Sequence, residues 1–278
     1  MKIEMAKSYG FCFGVKRAIK IAESAGEAAT IGELIHNAEE INRLKQNFGV
    51  KTLEGVSEIK GEQKLIIRTH GIQKDDLQRL KAQNKELIDA TCPFVTKPQQ
   101  IVEKMSAEGY DIVIFGDKNH PEVKGVKSYA KGRVYVVLEP AELLQIKLGT
   151  RVALVSQTTK KIESFTKIAD FLMQRARELR IFNTICNATL ENQEAVKSLS
   201  QKADVMIIVG GKNSSNTKQL FLISQNFCKD SYLIENESEL ERSWFENKSL
   251  CGISAGASTP DWIIKKVVAR IENLTQNL

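Results

Sequence analysis

Proline and aromatic residues are scarce in this chain, with 5 Pro in 278 residues and 6% Phe, Trp and Tyr. So little proline, without any biased tract, excludes collagen-like, mucin-like and proline-rich disordered chains. Few aromatics and no basic stripe argue against a nucleic-acid surface, which interleaves the two. No apolar run approaches the ~18 residues of a membrane span. The first residues, MKIEMAKSYGFCFG, hold no apolar stretch of the secretory type, so a cytoplasmic protein is the expectation. The 5 Cys, at 12, 92, 186, 228 and 251, contain no CxxC pair. Their odd number and wide spacing remove both a disulfide framework and a close-paired zinc ribbon. Nothing resembles a coiled coil or a long amphipathic helix, so a monomer is expected.

What is present is ordinary globular material: 42% hydrophobic and 27% charged residues, with a net charge of +6 spread along the chain. That balance suits an acidic ligand or partner. The strongest internal signal is a repeat. The stretch from Cys92, CPFVTKPQQIVEKMSAEGYDIVIFGDKNHPEV, aligns without a gap on that from Cys186, CNATLENQEAVKSLSQKADVMIIVGGKNSSNT. Cys92 falls on Cys186, Gln99 on Gln193, Gly116 on Gly210, Asn119 on Asn213 and Glu122 on Asn216. A weaker copy starts at Cys12, where Gly32 arrives four residues sooner, about the length of one helical turn. Four residues beyond each glycine stand His36, His120 and Ser214. Each copy then continues to a second apolar segment ending in small polar residues: LIIRTHG at 65–71, VALVSQTT at 152–159 and LCGISAGAS at 250–258.

Within each copy a helical pattern follows the cysteine, then a short buried strand ending in glycine, then a second helix. Alternation of this kind predicts parallel sheets, whose ligand sites lie beyond the strands' C-terminal ends. The expected fold is therefore α/β: three small lobes in a pseudo-threefold arrangement around a central cluster site. Their expected bounds are 13–92, 93–186 and 187–278, with residues 1–12 packing against the third.

Threefold repetition would bring Cys12, Cys92 and Cys186 together. Three converging thiolates suit an iron–sulfur cluster better than zinc, and a cubane so held leaves one iron open to substrate. Cys228 and Cys251 lack repeat counterparts and read as core residues. All three histidines, His36, His70 and His120, fall in strand-end motifs. With Ser214, Ser215, Asn216 and Ser258 they form donors beside helix N-termini, where an anion such as phosphate binds. Glu122 places a carboxyl where the third copy has an amide, and a general acid needs such a group. Thr158 and Thr159 stand ready to orient that carboxyl or a substrate hydroxyl.

These motifs resemble one family over nearly the full length. GFCFGVKRA, GELIHN, RTHG, DATCPFV, GDKNHPEV, SQTT, ICNAT followed by NQEA, GKNSSNT and AGASTPDW follow the order found in 4-hydroxy-3-methylbut-2-enyl diphosphate reductases. The resemblance implies a 4Fe–4S cluster on Cys12, Cys92 and Cys186. It implies an allylic diphosphate substrate held by His36, His70, His120, Ser214, Ser215, Asn216 and Ser258, a proton donor in Glu122, and Thr158 at the substrate hydroxyl. The activity implied is reductive dehydroxylation to isopentenyl and dimethylallyl diphosphate in isoprenoid biosynthesis. No nucleotide or flavin module is evident, so reduced ferredoxin or flavodoxin is the expected electron donor. One departure is Asn192, where many relatives carry Arg; it leaves every implied ligand in place. Two other readings remain at this stage: a quinolinate synthase-like iron–sulfur dehydration enzyme, which would need carboxylate anchors, and a non-catalytic anion-binding protein.

Overall fold

The computed structural model describes residues 1–83 and 85–276. In chain order come β1 (Lys2–Met5), α1 (Phe13–Ala25), β2 (Ala28–Ile31), α2 (Ala38–Phe48), β3 (Val50–Leu53), β4 (Lys64–Ile67), α3 (Lys74–Lys81) and β5 (Glu86–Asp89). Next are α4 (Pro93–Ala107), β6 (Asp111–Phe115), α5 (Pro121–Ser128), β7 (Val134–Val137), β8 (Arg151–Ser156), α6 (Ile162–Met173) and β9 (Glu178–Ile181). Then follow α7 (Asn187–Ser200), β10 (Val205–Val209), α8 (Ser215–Phe227), β11 (Ser231–Ile234), β12 (Leu250–Ala255) and α9 (Asp261–Thr275).

These strands make three four-stranded sheets, ordered β5-β4-β2-β3, β9-β8-β6-β7 and β1-β12-β10-β11. Every pairing is parallel, and the spatial order is equivalent in all three, with β1 taking in the third sheet the edge place that β5 and β9 take in the others. The expected three parallel α/β lobes are thus present. Among the inner strands β6, DIVIF, and β10, VMIIV, are buried along their whole length, as strands covered on both faces must be. Four of the six edge strands carry charge, in KIEM, VKTL, ELID and ELRI, which discourages pairing with another chain.

β10 shows how one strand serves two layers. Val205, Ile207 and Val209 pack with Ile263, Ile264, Val267 and Ile271 of α9, whereas Met206 and Ile208 pack with Val196, Leu199 and Leu220 of α7 and α8. That division is the period-two alternation of a strand. In the second sheet Ile112 and Ile114 meet Val102 and Met105 of α4 and Val123 and Val126 of α5.

The short first copy is explained differently from its expectation. α1 has 13 residues against 15 in α4, β2 has 4 against 5 in β6, and the link between helix and strand is one residue shorter. The shortfall is spread over three places rather than taken as one helical turn.

By internal contacts the chain separates into two compact units. One comprises Met1–Lys16, His36–Asn42 and the chain from Asn187 onward; the other comprises Arg17–Ile35 and Arg43–Cys186. The second unit therefore holds two sheets, tied where the Lys74 N–H donates to Ser128 Oγ at 2.9 Å. No helix among the described residues is long and apolar enough to cross a membrane. Ile207→Ala, which empties a fully buried site at the centre of β10, should destabilise the protein by ~2–5 kcal/mol in chemical denaturation, against at most ~0.5 for Met173→Ala on the surface.

Candidate functional site

Each of the three repeat cysteines stands at the same joint, between a sheet's edge strand and the helix that follows it: β1 and α1 for Cys12, β5 and α4 for Cys92, β9 and α7 for Cys186. The joint is fixed the same way each time. The Cys12 N–H donates to the carbonyl of Ala257 at 3.2 Å, that of Cys92 to Thr69 at 3.0 Å, and that of Cys186 to Thr158 at 3.0 Å. Those carbonyls lie just beyond β12, β4 and β8, the equivalent inner strands. All three thiols are half-buried, whereas Cys228 and Cys251 are buried and burial pushes their pKa values up, that of Cys251 to about 12. None of the five forms a disulfide.

The helix starts are charged to match. α2, α3, α5, α6 and α9 carry Asp or Glu in their first turn, as the helix dipole favours. α1, α4, α7 and α8 carry none. Three of these four follow the cysteines, and the fourth begins with Ser215 and Asn216. An N-terminus without its own carboxylate keeps its positive partial charge unneutralised within the helix, which suits it to an anion.

The candidate residues fall into two linked groups, one per unit. In the first are Cys12, His36, Ser214, Ser215, Asn216 and Ser258. Ser258 Oγ donates to the His36 carbonyl at 3.1 Å. Gly211 approaches that carbonyl so closely that a Cβ there would lie 2.6 Å from it, which excludes any side chain. Ser214 caps α8 by accepting the Thr217 N–H. Asn216 is buried with both its amide oxygen and its amide nitrogen unpartnered. Burying a polar amide so is costly without a partner, so this one is suited to a ligand rather than to the protein.

The second group holds His70, Cys92, His120, Glu122, Thr158 and Cys186. His120 is the N-cap of α5, its Nδ1 accepting the Glu122 N–H at 3.2 Å. A neutral ring bonded in this way carries its proton on Nε2 and offers it as a donor. The rings of His70 and His120 meet edge to face at 5.4 Å. Both Glu122 oxygens are held by Thr158, Oε1 by its N–H and Oε2 by its hydroxyl, each at 2.7 Å. The Thr159 hydroxyl accepts from Gln157 Nε2 at 3.0 Å.

Glu122 is 1% exposed. Burial raises its pKa to about 7, outweighing the two Thr158 hydrogen bonds and the charge of Lys160, which pull the other way. Two charged neighbours escaped the sequence reading. Burial lowers the pKa of Lys160 against the attraction of Asp117 and Glu122, and lowers that of Arg68 beside Glu33 and Glu54. Lys160 adjoins SQTT and Arg68 opens RTHG, but nothing in the spacing marks either charge as half-buried. Asn192 accepts from Ser8 Oγ at 2.6 Å and so joins β1's following loop to α7.

Soft donors at three equivalent, acid-free joints fit an iron–sulfur cluster, and the unpartnered amide at the start of α8 fits an anionic ligand. Between the ordinary carboxyl range and about pH 7, the unfolded chain has released the Glu122 proton while the folded chain keeps it. The cluster-free protein should therefore lose up to ~3 kcal/mol of stability as pH rises through that window, and Glu122→Gln should flatten the curve, as measured by urea unfolding at pH 5 and 8.

Comparison with known proteins gives a consistent picture. The model of the LytB protein family matches residues 3–272. The 4-hydroxy-3-methylbut-2-enyl diphosphate reductase of Campylobacter hominis is 75% identical over 99% of this chain and 100% of its own length. That of Campylobacter jejuni subsp. doylei is 65% identical over 100% of both. A solved structure of (E)-4-hydroxy-3-methyl-but-2-enyl diphosphate reductase, the terminal enzyme of the non-mevalonate pathway, is 43% identical, with a TM-score of 0.73 over 98% of this chain and 99% of that one. The E-1-hydroxy-2-methyl-but-2-enyl-4-diphosphate reductase of Plasmodium falciparum is 27% identical, with a TM-score of 0.92 over 99% of this chain and 89% of that one.

Proposed function

We infer the activity from one premise: this chain belongs to the LytB protein family. It is an oxidoreductase that reduces (E)-4-hydroxy-3-methylbut-2-enyl diphosphate to isopentenyl and dimethylallyl diphosphate. The observation that carries this reading is the cysteine joint, repeated three times at helix starts cleared of acid.

In this reading Cys12, Cys92 and Cys186 hold a 4Fe–4S cluster. When bound, that cluster supplies two electrons singly and a Lewis-acidic iron for the substrate hydroxyl. The diphosphate takes hydrogen bonds from His120 Nε2, His36 and His70, from Ser214, Ser215 and Ser258, and from the buried Asn216 amide at the start of α8. Anchored there, the allylic hydroxyl is presented in one orientation, which reduces the entropic part of the barrier.

The overall change cleaves one C–O bond, consumes two electrons and two protons, and releases water. Glu122 gives the first proton to the departing oxygen, and a pKa of about 7 keeps it protonated in a useful fraction at neutral pH. Thr158 aims that carboxyl by gripping both its oxygens, and its hydroxyl also places the substrate hydroxyl. The second proton reaches carbon at either end of the allyl unit, which accounts for two products. The bound diphosphate is its source, since the two groups contain no second carboxyl. Electrons come from a reduced ferredoxin or flavodoxin, and the enzyme works as a cytoplasmic monomer.

Anaerobic reconstitution with iron and sulfide, followed by oxidation of reduced methyl viologen, tests the whole reading. Adding the hydroxymethylbutenyl diphosphate should trigger oxidation in the wild type and not in Cys12→Ser; a wild type that carries a cluster yet stays silent would sink the substrate assignment. Glu122→Gln should keep cluster and substrate binding and lose at least ~100-fold in kcat. Iron content should drop in Cys186→Ser and hold in Cys251→Ser, and equal losses in both would break the ligand assignment.

A further inference from the structure

The segment His36–Asn42 packs in the unit of the third sheet, although the chain on either side of it belongs to the other unit. Four contacts keep it there. Two are at the His36 carbonyl, the Ser258 hydroxyl and the close approach of Gly211. A third is Asn236 Nδ2, donating to Glu39 Oε1 at 3.3 Å. The fourth is the indole N–H of Trp262, donating to Glu40 Oε2 at 2.9 Å.

The fourth contact has no part in the chemistry described so far, yet it is the costly one. Glu40 is 1% exposed, and a carboxylate loses much free energy on leaving water unless hydrogen bonds replace the solvent. An acidic residue serves a helix start equally well when exposed, as Asp75 does in α3, so helix formation does not explain the burial. Glu40 does occupy a rigid place. It lies in the first turn of α2, and its N–H is taken by Oδ1 of Asn37 at 3.0 Å. His36 directly precedes Asn37, so fixing Glu40 fixes the turn from which His36 projects. Trp262 is held in turn at the start of α9. Lys266 Nζ lies 5.0 Å from its ring centre and pairs with Glu237 at 3.8 Å. α9 begins three residues after Ser258, the residue bonded to the His36 carbonyl.

We propose that Glu40 and Trp262 are positioning residues, whose hydrogen bond locks the His36 turn against the start of α9 and thereby sets the affinity for the diphosphate. The lock acts through His36 and Ser258, so it rests on the functional reading above. Neither residue touches the reacting atoms, and the loss should fall on binding rather than on chemistry.

Trp262→Phe keeps an aromatic ring and removes the donor; Glu40→Gln keeps an oxygen acceptor and removes the charge. In the reconstituted holoenzyme, Trp262→Phe should raise the KM for substrate and the Kd for inorganic pyrophosphate by about tenfold, the loss expected of one hydrogen bond to a charged group. Its kcat should stay within about twofold, and Glu40→Gln should recover most of the affinity. Backbone amides of residues 38–42 should exchange faster in Trp262→Phe, while those of β10 stay protected. Unchanged exchange and unchanged pyrophosphate affinity would overturn the proposal, as would a fall in kcat at constant KM. A wild type inactive on the substrate would defeat the functional reading instead, and exchange with pyrophosphate binding would still decide the lock.

Discussion

One hydrogen bond, made three times, organises the molecule: a cysteine N–H given to the carbonyl just past the neighbouring inner strand. It closes each sheet's edge strand onto its inner strand at the end where ligands bind, and it starts a helix from the same residue. Thiol, helix N-terminus and strand-end loop are thereby set in one geometry. The loops so placed carry Thr69 and His70, Thr158, and Ser258. Position of the chemistry is thus a property of backbone bonding, and the side chains are free to differ among copies.

That freedom shows in the electrostatics. His120 and Glu122 occupy the places that Ser214 and Asn216 hold in the third copy, and the two pairs are suited to different work. At α5 the dipole faces a carboxyl lifted by burial to about 7; at α8 it faces no acid and an amide without a partner. One scaffold therefore sets a buried carboxyl at one helix start and an unpartnered amide at another.

Much of this was legible in the chain because the repeat is nearly unbroken. The gapless match of the copies at Cys92 and Cys186 predicts two lobes outright, and buried runs such as VMIIV announce inner strands. The first copy misled in detail, since a shortfall of four residues looks like a helical turn but is shared among helix, link and strand. Periodicity cannot distribute a deletion. The candidate residues were found because each sits in a motif at a strand end. Lys160, Arg68 and the Glu40–Trp262 bond were not, even though Arg68 lies in RTHG and Trp262 in AGASTPDW: desolvation of a charge and contact across some two hundred residues leave no local pattern. The acid-free helix starts lie between these cases, visible in composition only once the structure shows where each helix begins.

The third sheet takes β1 as its edge strand beside β12, so the strands of both other sheets lie between these two neighbours in sequence. The two sheets of the other unit are complete in sequence before α7 is made. Cys12 is synthesised first of the three cysteines but gains its backbone anchor at Ala257 last. Its joint cannot close until Ala257 has been made, so any assembly that needs all three joints waits for the third sheet.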